Sequence, residues 1–351
     1  MDLISRLNSE ASLLRARLDI LSRQSSSGLK ASTLSEIAAD VPRTVDLQNN
    51  IARRDSYTKS IDQSLTRMSV MQTALSRLSD IASEFRSDIA TKLSSTDSNS
   101  LVTVQSRART ALQEVGQLLN TRLNGEYLFG GTDLANPPVP NPDSLPTSTM
   151  ATTIATAVAG LTNANAATVT AATLAAAQDT TAGNSVFSAF LEDPAQGAGE
   201  PRRAVPVGDG ELMTYGIRAN ANGTAISAGD TTGSWARDLL RGLMTLAALT
   251  PAQMAQGTGF DAVADSLRNT FRSAESALAE ETGGLGAVQK QVEAAKTRHS
   301  DITTQLNTQL AELTEVDMAS TLTRLQATRT QLEASYRATS GLADLTLTKF
   351  L

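Results

Sequence analysis

The sequence predicts a mainly α protein: a long, coiled-coil-like helical rod built from its N- and C-terminal segments, with a small outlying domain containing some β-structure. Three observations carry that expectation. First, Leu7, Ala11, Leu14, Leu18 and Leu21 recur at alternating spacings of four and three residues, and Met318, Leu322, Leu325, Leu332 and Tyr336 keep the same rhythm near the other end, with Arg329 interrupting. That rhythm sets side chains along one narrow helical stripe, the geometry of a coiled-coil seam. Second, a low-complexity, nearly uncharged segment separates the two ends. Third, 40% of the 351 residues are apolar but only 3% are aromatic, so Ala, Leu, Thr and Ser supply most of the packing, which suits slender helical bundles. A lone helix in water leaves such a stripe unsatisfied. The two ends therefore need each other, neighbouring copies, or both.

The first helix is expected from about Asp2 to Gln24, stopped by Ser25-Ser26-Ser27-Gly28. Leu29 to Pro42 is less regular, and Pro42 disfavours helix through Val41. A long periodic run follows, through Leu47, Ile51, Ile61, Leu65, Met68, Leu75, Leu78, Ala82, Phe85, Ile89 and Leu93. A helix from Thr44 to Leu93 would be about 75 Å long. The polar stretch Ser94 to Asn99 is a turn rich in capping oxygens, and a third helix carries Leu101, Val104, Ala108, Ala111, Val115, Leu118 and Leu119. So short a connection folds it back antiparallel on the second. It closes at Asn124-Gly125, and Glu126 to Gly131 reads as a strand or extended exit.

Composition then shifts. Five prolines between Asn136 and Pro146 suggest a stiff linker, and Thr147 to Gly183 is mostly Ala and Thr with Asp179 as its only charge. That stretch is compatible with loose helix, short strands or loop. Val186, Phe187, Phe190 and Leu191 are large enough to anchor it, and Ala204 to Ile217 suggests strands around a Gly208-Asp209-Gly210 turn. Helix returns with a stripe of Trp235, Leu239, Leu243 and Leu246, and Thr250-Pro251 offers an N-cap and a first-turn proline. Phe260, Val263, Leu267, Phe271 and Leu278 mark another helix. Past Gly283-Gly284 runs a seam of Leu285, Val288, Val292, Ala295, His299, Ile302, Leu306, Leu310 and Leu313, and Glu315-Val316-Asp317 breaks it before the last helix. Leu342, Leu345, Leu347, Phe350 and Leu351 complete an apolar set that is costly to leave wet, so burial in a partner is expected. The expected organisation is an N-terminal assembly helix (1–43), N-terminal rod helices (44–134), a variable outer domain (135–234), C-terminal rod helices (235–314) and a C-terminal assembly helix (315–351).

The same residues weigh against several functions. A net charge of -6 gives no general attraction to nucleic acid or an anionic membrane, and the doublets Arg53-Arg54 and Arg202-Arg203 read as solvated faces. No stretch reaches the roughly 18 apolar residues of a membrane span. The first residues do not read as a secretory signal peptide. Cysteine is absent, which removes disulfides and thiolate chemistry, and the only histidine, His299, sits at a seam position without a second ligand. The glycine clusters Gly130-Gly131, Gly208-Asp209-Gly210 and Gly283-Gly284-Leu285-Gly286 lack the lysine of a phosphate loop and read as turns or helix ends. Neither an enzyme nor a cofactor is expected.

The residues also carry a resemblance. Leu21 to Lys30, with its serine-glycine-leucine core, and Leu313 through Asp317-Met318-Ala319 are similar to bacterial flagellins, while the run Asn124-Gly125-Glu126-Tyr127-Leu128-Phe129-Gly130-Gly131 and Gly208-Asp209-Gly210 followed by Tyr215-Gly216-Ile217 resemble the junction proteins of that family. The ending, Leu332-Glu333-Ala334-Ser335-Tyr336 through Leu345-Thr346-Leu347-Thr348-Lys349-Phe350-Leu351, most resembles the family's hook–filament junction proteins, also called hook-associated protein three. The family's acidic Asp-Asp-Pro or Asp-Asp-Ala segment is here Ile37-Ala38-Ala39-Asp40-Val41-Pro42. The resemblance implies an extracellular subunit of the bacterial flagellum, exported by the type III apparatus without a cleaved signal peptide. Its implied partners are copies of itself, a neighbouring hook-associated protein on the hook side, flagellin or the adjoining subunit on the filament side, and an export chaperone on the C-terminal helices. A filament flagellin is the near alternative and a cytosolic coiled-coil scaffold or signalling protein the distant one. In either flagellar reading the terminal stripes form the assembly interface.

Overall fold

The computed structural model describes residues 3–31, 33, 40–93 and 98–347, with side chains over 6–31, 33, 40–93 and 98–341. In chain order the elements are α1 (Leu3–Ser27), α2 (Val41–Lys92), α3 (Ser98–Leu119), β1 (Arg122–Leu123), β2 (Glu126–Tyr127), a 3-10 helix (Pro142–Thr147), α4 (Thr149–Ala159), α5 (Ala166–Gln178), α6 (Ala189–Glu192), β3 (Ala204–Gly208), β4 (Glu211–Thr214), α7 (Trp235–Ala248), α8 (Pro251–Met254), α9 (Thr258–Thr314) and α10 (Met318–Leu347). The β-structure described is two antiparallel two-stranded hairpins, β1–β2 and β3–β4. The protein is mainly α with a small β component, as the patterning predicts.

The chain forms two compact units: Met1–Ser56 with Arg298–Leu351, and Tyr57–Thr297. In the first, α1 packs along α10. The pair is antiparallel: Val316 N donates to Gly28 O at 2.9 Å, while Arg15 lies over the Tyr336 ring at 5.1 Å. Gly28 ends α1 in the left-handed region (φ +75), which an L side chain rarely adopts. The helix nevertheless runs on through Ser25–Ser27, because a serine hydroxyl can bond back along the helix, as Ser26 Oγ does to Arg23 O at 2.9 Å. Pro42 sits in the first turn of α2, where its missing N–H has no helical partner to lose. The break before α10 is capped by Asp317, whose Oδ1 accepts from Ala319 N (2.9 Å) and Ser320 N (3.2 Å). The two breaks are tied together, since Lys30 N also donates to Thr314 O at 2.7 Å.

The second unit has one apolar core. Met68, Leu75, Leu78 and Ile89 of α2 share it with Leu101, Val104, Leu112 and Val115 of α3. Arg77–Glu114 (2.6 Å) and Arg107–Glu84 (3.3 Å) fix these two helices as antiparallel. Asn124 (φ 53) and Gly125 (φ 84) make the two-residue turn between β1 and β2, which requires positive φ at both positions. The proline-rich stretch does not stand off as a linker. Val139 and Leu145 are buried, and the Asn120 side chain bonds the Val139 carbonyl (2.7 Å) and N–H (2.9 Å). The Ala/Thr segment forms α4 and α5, which bury Met150, Ile154 and Val158, and Val169, Thr173 and Ala177.

Two further expectations need correction. The Trp235 stripe is not one face of α7: the helix is buried on all sides from Trp235 to Leu246, Arg237, Asp238 and Arg241 included, because α3, α4 and α5 all pack on it. Gly283-Gly284-Leu285-Gly286 is neither a turn nor a helix end, since α9 runs through it unbroken. A nearby loop explains Gly284. Glu281 accepts from the backbone N–H groups of Gly223, Thr224 and Ala225 at 2.6–2.9 Å, and a Cβ on Gly284 would meet Thr224 Oγ1 at 2.9 Å. The glycine makes room for the crossing loop. The other two clusters do turn, with Gly131 at φ +67 and Gly210 at φ +76.

Candidate assembly interface

The residues predicted for assembly divide into two sets. On α1, Ala11 and Leu21 are buried against α10, and Leu7, Leu14 and Leu18 are half-buried on the same side. On α10, Leu325 and Leu332 are half-buried, but Met318, Leu322 and Tyr336 are 41%, 49% and 40% exposed. The positions of α10 that are buried are threonines, Thr321 at 6% and Thr328 at 4% exposure, with Ser335 and Thr339 half-buried in line with them. The side chains of Leu342, Leu345 and Leu347, and the whole of Phe350 and Leu351, lie outside the described residues.

Two stripes therefore share α10. One, Thr321–Leu325–Thr328–Leu332–Ser335–Thr339, is the less exposed side of the helix that packs along α1. The other, Met318–Leu322–Leu325–Leu332–Tyr336, is rotated by about one residue and leaves nearly half of Met318, Leu322 and Tyr336 in solvent. Helix α1 has a matching outer pair that the sequence reading missed. Leu13 is 67% and Ile20 45% exposed, and their seven-residue spacing sets them on one line, away from the Leu7–Leu21 stripe. That spacing is the signal that could have found them. Arg15 stacks on Tyr336 between the helices, which holds that ring at the edge of the pair.

The charged groups serve packing. Arg54 Nη1 lies 3.1 Å from Nδ1 of the buried His299; a guanidinium can only donate, so Nδ1 is the acceptor. Arg67 and Arg203 both pair with Glu126, and Arg67 above all holds that carboxyl below its ordinary range. A cleft of about 780 Å³ in the second unit is lined by Asp230, Asp238, Asp265 and Arg272, but Asp238 already accepts from Thr231 Oγ1 and Thr232 N. Among the described residues no three His, Asp or Glu side chains gather to hold a metal ion, and no helix is long and apolar enough to cross a membrane.

The terminal helices are thus paired, with a second apolar stripe left partly in solvent. Residues 4–133 match the bacterial flagellin N-terminal helical region and residues 270–351 the bacterial flagellin C-terminal helical region, together more than half of the chain. The chain belongs to the bacterial flagellin family, whose members are structural, non-enzymatic subunits of the extracellular flagellum. A search among curated proteins gave no match.

Proposed function

We propose that this flagellin-family subunit is a hook–filament junction protein, joining hook to filament by coupled folding and helical assembly of its terminal helices. What favours the junction over the filament is the resemblance of its ending, Leu332 through Leu351, together with Asn124 to Gly131. The outward stripe supports assembly in either role. Leu13 and Ile20 of α1 and Met318, Leu322 and Tyr336 of α10 are large, apolar and exposed on the same helix pair. Burial against neighbouring copies would remove that surface from water, at about 25 cal/mol per Å².

In this reading residues 1–43 and 315–351 form the inner layer, 44–134 and 235–314 the rod layer, and 135–234 the outer domain. Leu7, Ala11, Leu14, Leu18, Leu21, Met318, Leu322, Leu325, Leu332, Tyr336, Leu342, Leu345, Leu347, Phe350 and Leu351 make the interface. The terminal helices order on incorporation, since helices of this kind are marginal without a partner. The subunit contacts its own copies, a hook-associated neighbour on one side and flagellin on the other, and an export chaperone covers the C-terminal helices before secretion through the type III route. The test is seeded assembly followed by electron microscopy. A short cap on hook fragments that then accepts flagellin is the expected result. Long self-propagating filaments would make the protein a filament flagellin, and no association with either seed would overturn both.

A further inference from the structure

Helix α7 carries an arginine with an unusual environment. Arg241 is 2% exposed and has no ion pair in contact among the described residues. Its Nη2 donates to the Asp230 carbonyl at 3.0 Å and to Thr270 Oγ1 at 2.6 Å. Its Nη1 is buried and has no hydrogen-bond partner among the described residues. An unpaired cationic donor at that depth is costly, so something of matching chemistry is called for. Beside it lies a cavity of about 10 Å³, whose polar lining is Thr170 and Thr173 of α5, Arg241 and Thr245 of α7, and Ser266 and Thr270 of α9, and whose remaining wall is apolar (Val169, Val263 and Leu267). That size is about the least that admits one water molecule.

The hydroxyls decide what kind of guest fits. Thr173 Oγ1 already donates to Thr170 O (2.8 Å), Thr245 Oγ1 to Arg241 O (2.8 Å) and Thr270 Oγ1 to Ser266 O (3.0 Å). Their protons are spent, so these three buried hydroxyls offer only lone pairs. An anion would meet one buried donor, Arg241 Nη1, and three buried acceptors, with only the half-buried hydroxyls of Thr170 and Ser266 left to donate. Burial pushes the Arg241 pKa below its ordinary value, and Asp238 and Asp230 act against that by favouring the charged form. A cation would face the guanidinium. A neutral molecule that accepts once and donates twice meets every requirement.

We propose that the cavity between α5, α7 and α9 is a site for one internal water molecule, which accepts from Arg241 Nη1 and donates to Thr173 Oγ1 and Thr245 Oγ1. The water ties α5 to α7 at the point where the Ala/Thr segment has only small side chains with which to grip it. Two experiments on the full chain test this. A crystal structure at better than about 2 Å should show a peak within about 3.2 Å of Nη1 that gives no anomalous signal after a bromide soak. A bromide peak, or Nη1 in direct contact with a carboxylate or hydroxyl, would overturn the proposal. In solution, Thr173→Val should lower the unfolding temperature read by Trp235 fluorescence by about 2–4 °C in the native background. That loss should vanish in an Arg241→Met background, because the shared water is already gone. Equal losses in both backgrounds, or none in either, would also overturn it.

Discussion

Leu322 separates the two stripes of α10. It is 49% exposed in the single chain, so about half of its side chain remains to be buried by a neighbour. Full burial of a leucine contributes roughly 1.5–3 kcal/mol, so the outstanding half corresponds to about 1 kcal/mol per subunit. Leu322→Ala should therefore raise the critical concentration for seeded assembly about fivefold, measured as unpolymerised protein left after sedimentation. Leu322→Asp puts a carboxylate at the same contact and should abolish assembly, because an unpaired buried charge costs several kcal/mol. Neither change removes the buried threonines facing α1, so the thermal loss of helicity in the free chain should stay within about 2 °C of the parent. Unaltered critical concentration for Leu322→Ala, combined with a lower helical melting temperature, would refute the reasoning and place Leu322 in the internal seam.

Further outcomes follow from other residues. Leu18→Asp and Leu325→Asp strike the side that faces within the pair, so both should block incorporation while fluorescence of the fully buried Trp235 is unchanged; normal incorporation or a red-shifted Trp235 would count against this. Glu192 is the buried carboxylate partner of Arg237, so Glu192→Ala should destabilise the second unit by about 3–5 kcal/mol in a urea titration, and Arg237→Met added to it should restore much of the loss. Because Arg67 holds the Glu126 pKa below its ordinary 4.5, the pair contributes stability that is present above that value and lost as pH falls through the lowered one. Glu126→Gln should thus lower the urea midpoint at pH 7 and flatten its decline below about pH 4.5; parallel curves for the two proteins would contradict this. Finally, a Cβ on Gly283 meets nothing within 4 Å, so Gly283→Ala should stabilise by about 0.5–1 kcal/mol, whereas Gly284→Ala, against Thr224 Oγ1 at 2.9 Å, should not.

What could be read from the chain was what is decided locally. Gly28, Asn124-Gly125 and Thr250-Pro251 mark element ends because φ preference, a missing N–H and capping act within a few residues. Existence of the terminal helices followed from period. Their phase did not: Leu325 and Leu332 belong to both stripes of α10, so apolarity alone cannot say which side meets α1. The choice falls to Thr321 and Thr328, whose small side chains allow close approach and whose polarity hides them from a hydrophobic count. Gly283-Gly284 misled for the opposite reason. Two glycines cost about 2 kcal/mol of helix propensity, but Leu285, Val292 and Ala295 are buried beyond them, and that tertiary packing carries the helix through. Arg237 and Arg241 made α7 look half-exposed, since the bonds that let them be buried come from outside the helix, from Glu192 and the Ala177 carbonyl for Arg237 and from the Asp230 carbonyl for Arg241.

The placing of threonine inside and leucine outside bears on how such a subunit behaves. A seam filled by Ala11, Leu21, Thr321, Thr328 and half-buried leucines fully buries only one large apolar side chain, so the free helix pair gains little over the roughly 1–2 kcal/mol per residue that ordering its backbone costs. The larger side chains, Leu13, Ile20, Met318, Leu322 and Tyr336, keep their surface in reserve. On the proposed reading that surface is covered only when a neighbour arrives, so the favourable free energy is concentrated in contacts between chains and not within one. A helix pair with the reverse arrangement would be stable alone and would offer a polar face to the lattice. It would fold early and assemble poorly. The order of burial along α10 is thus what a subunit needs if it must stay loosely paired until it is incorporated.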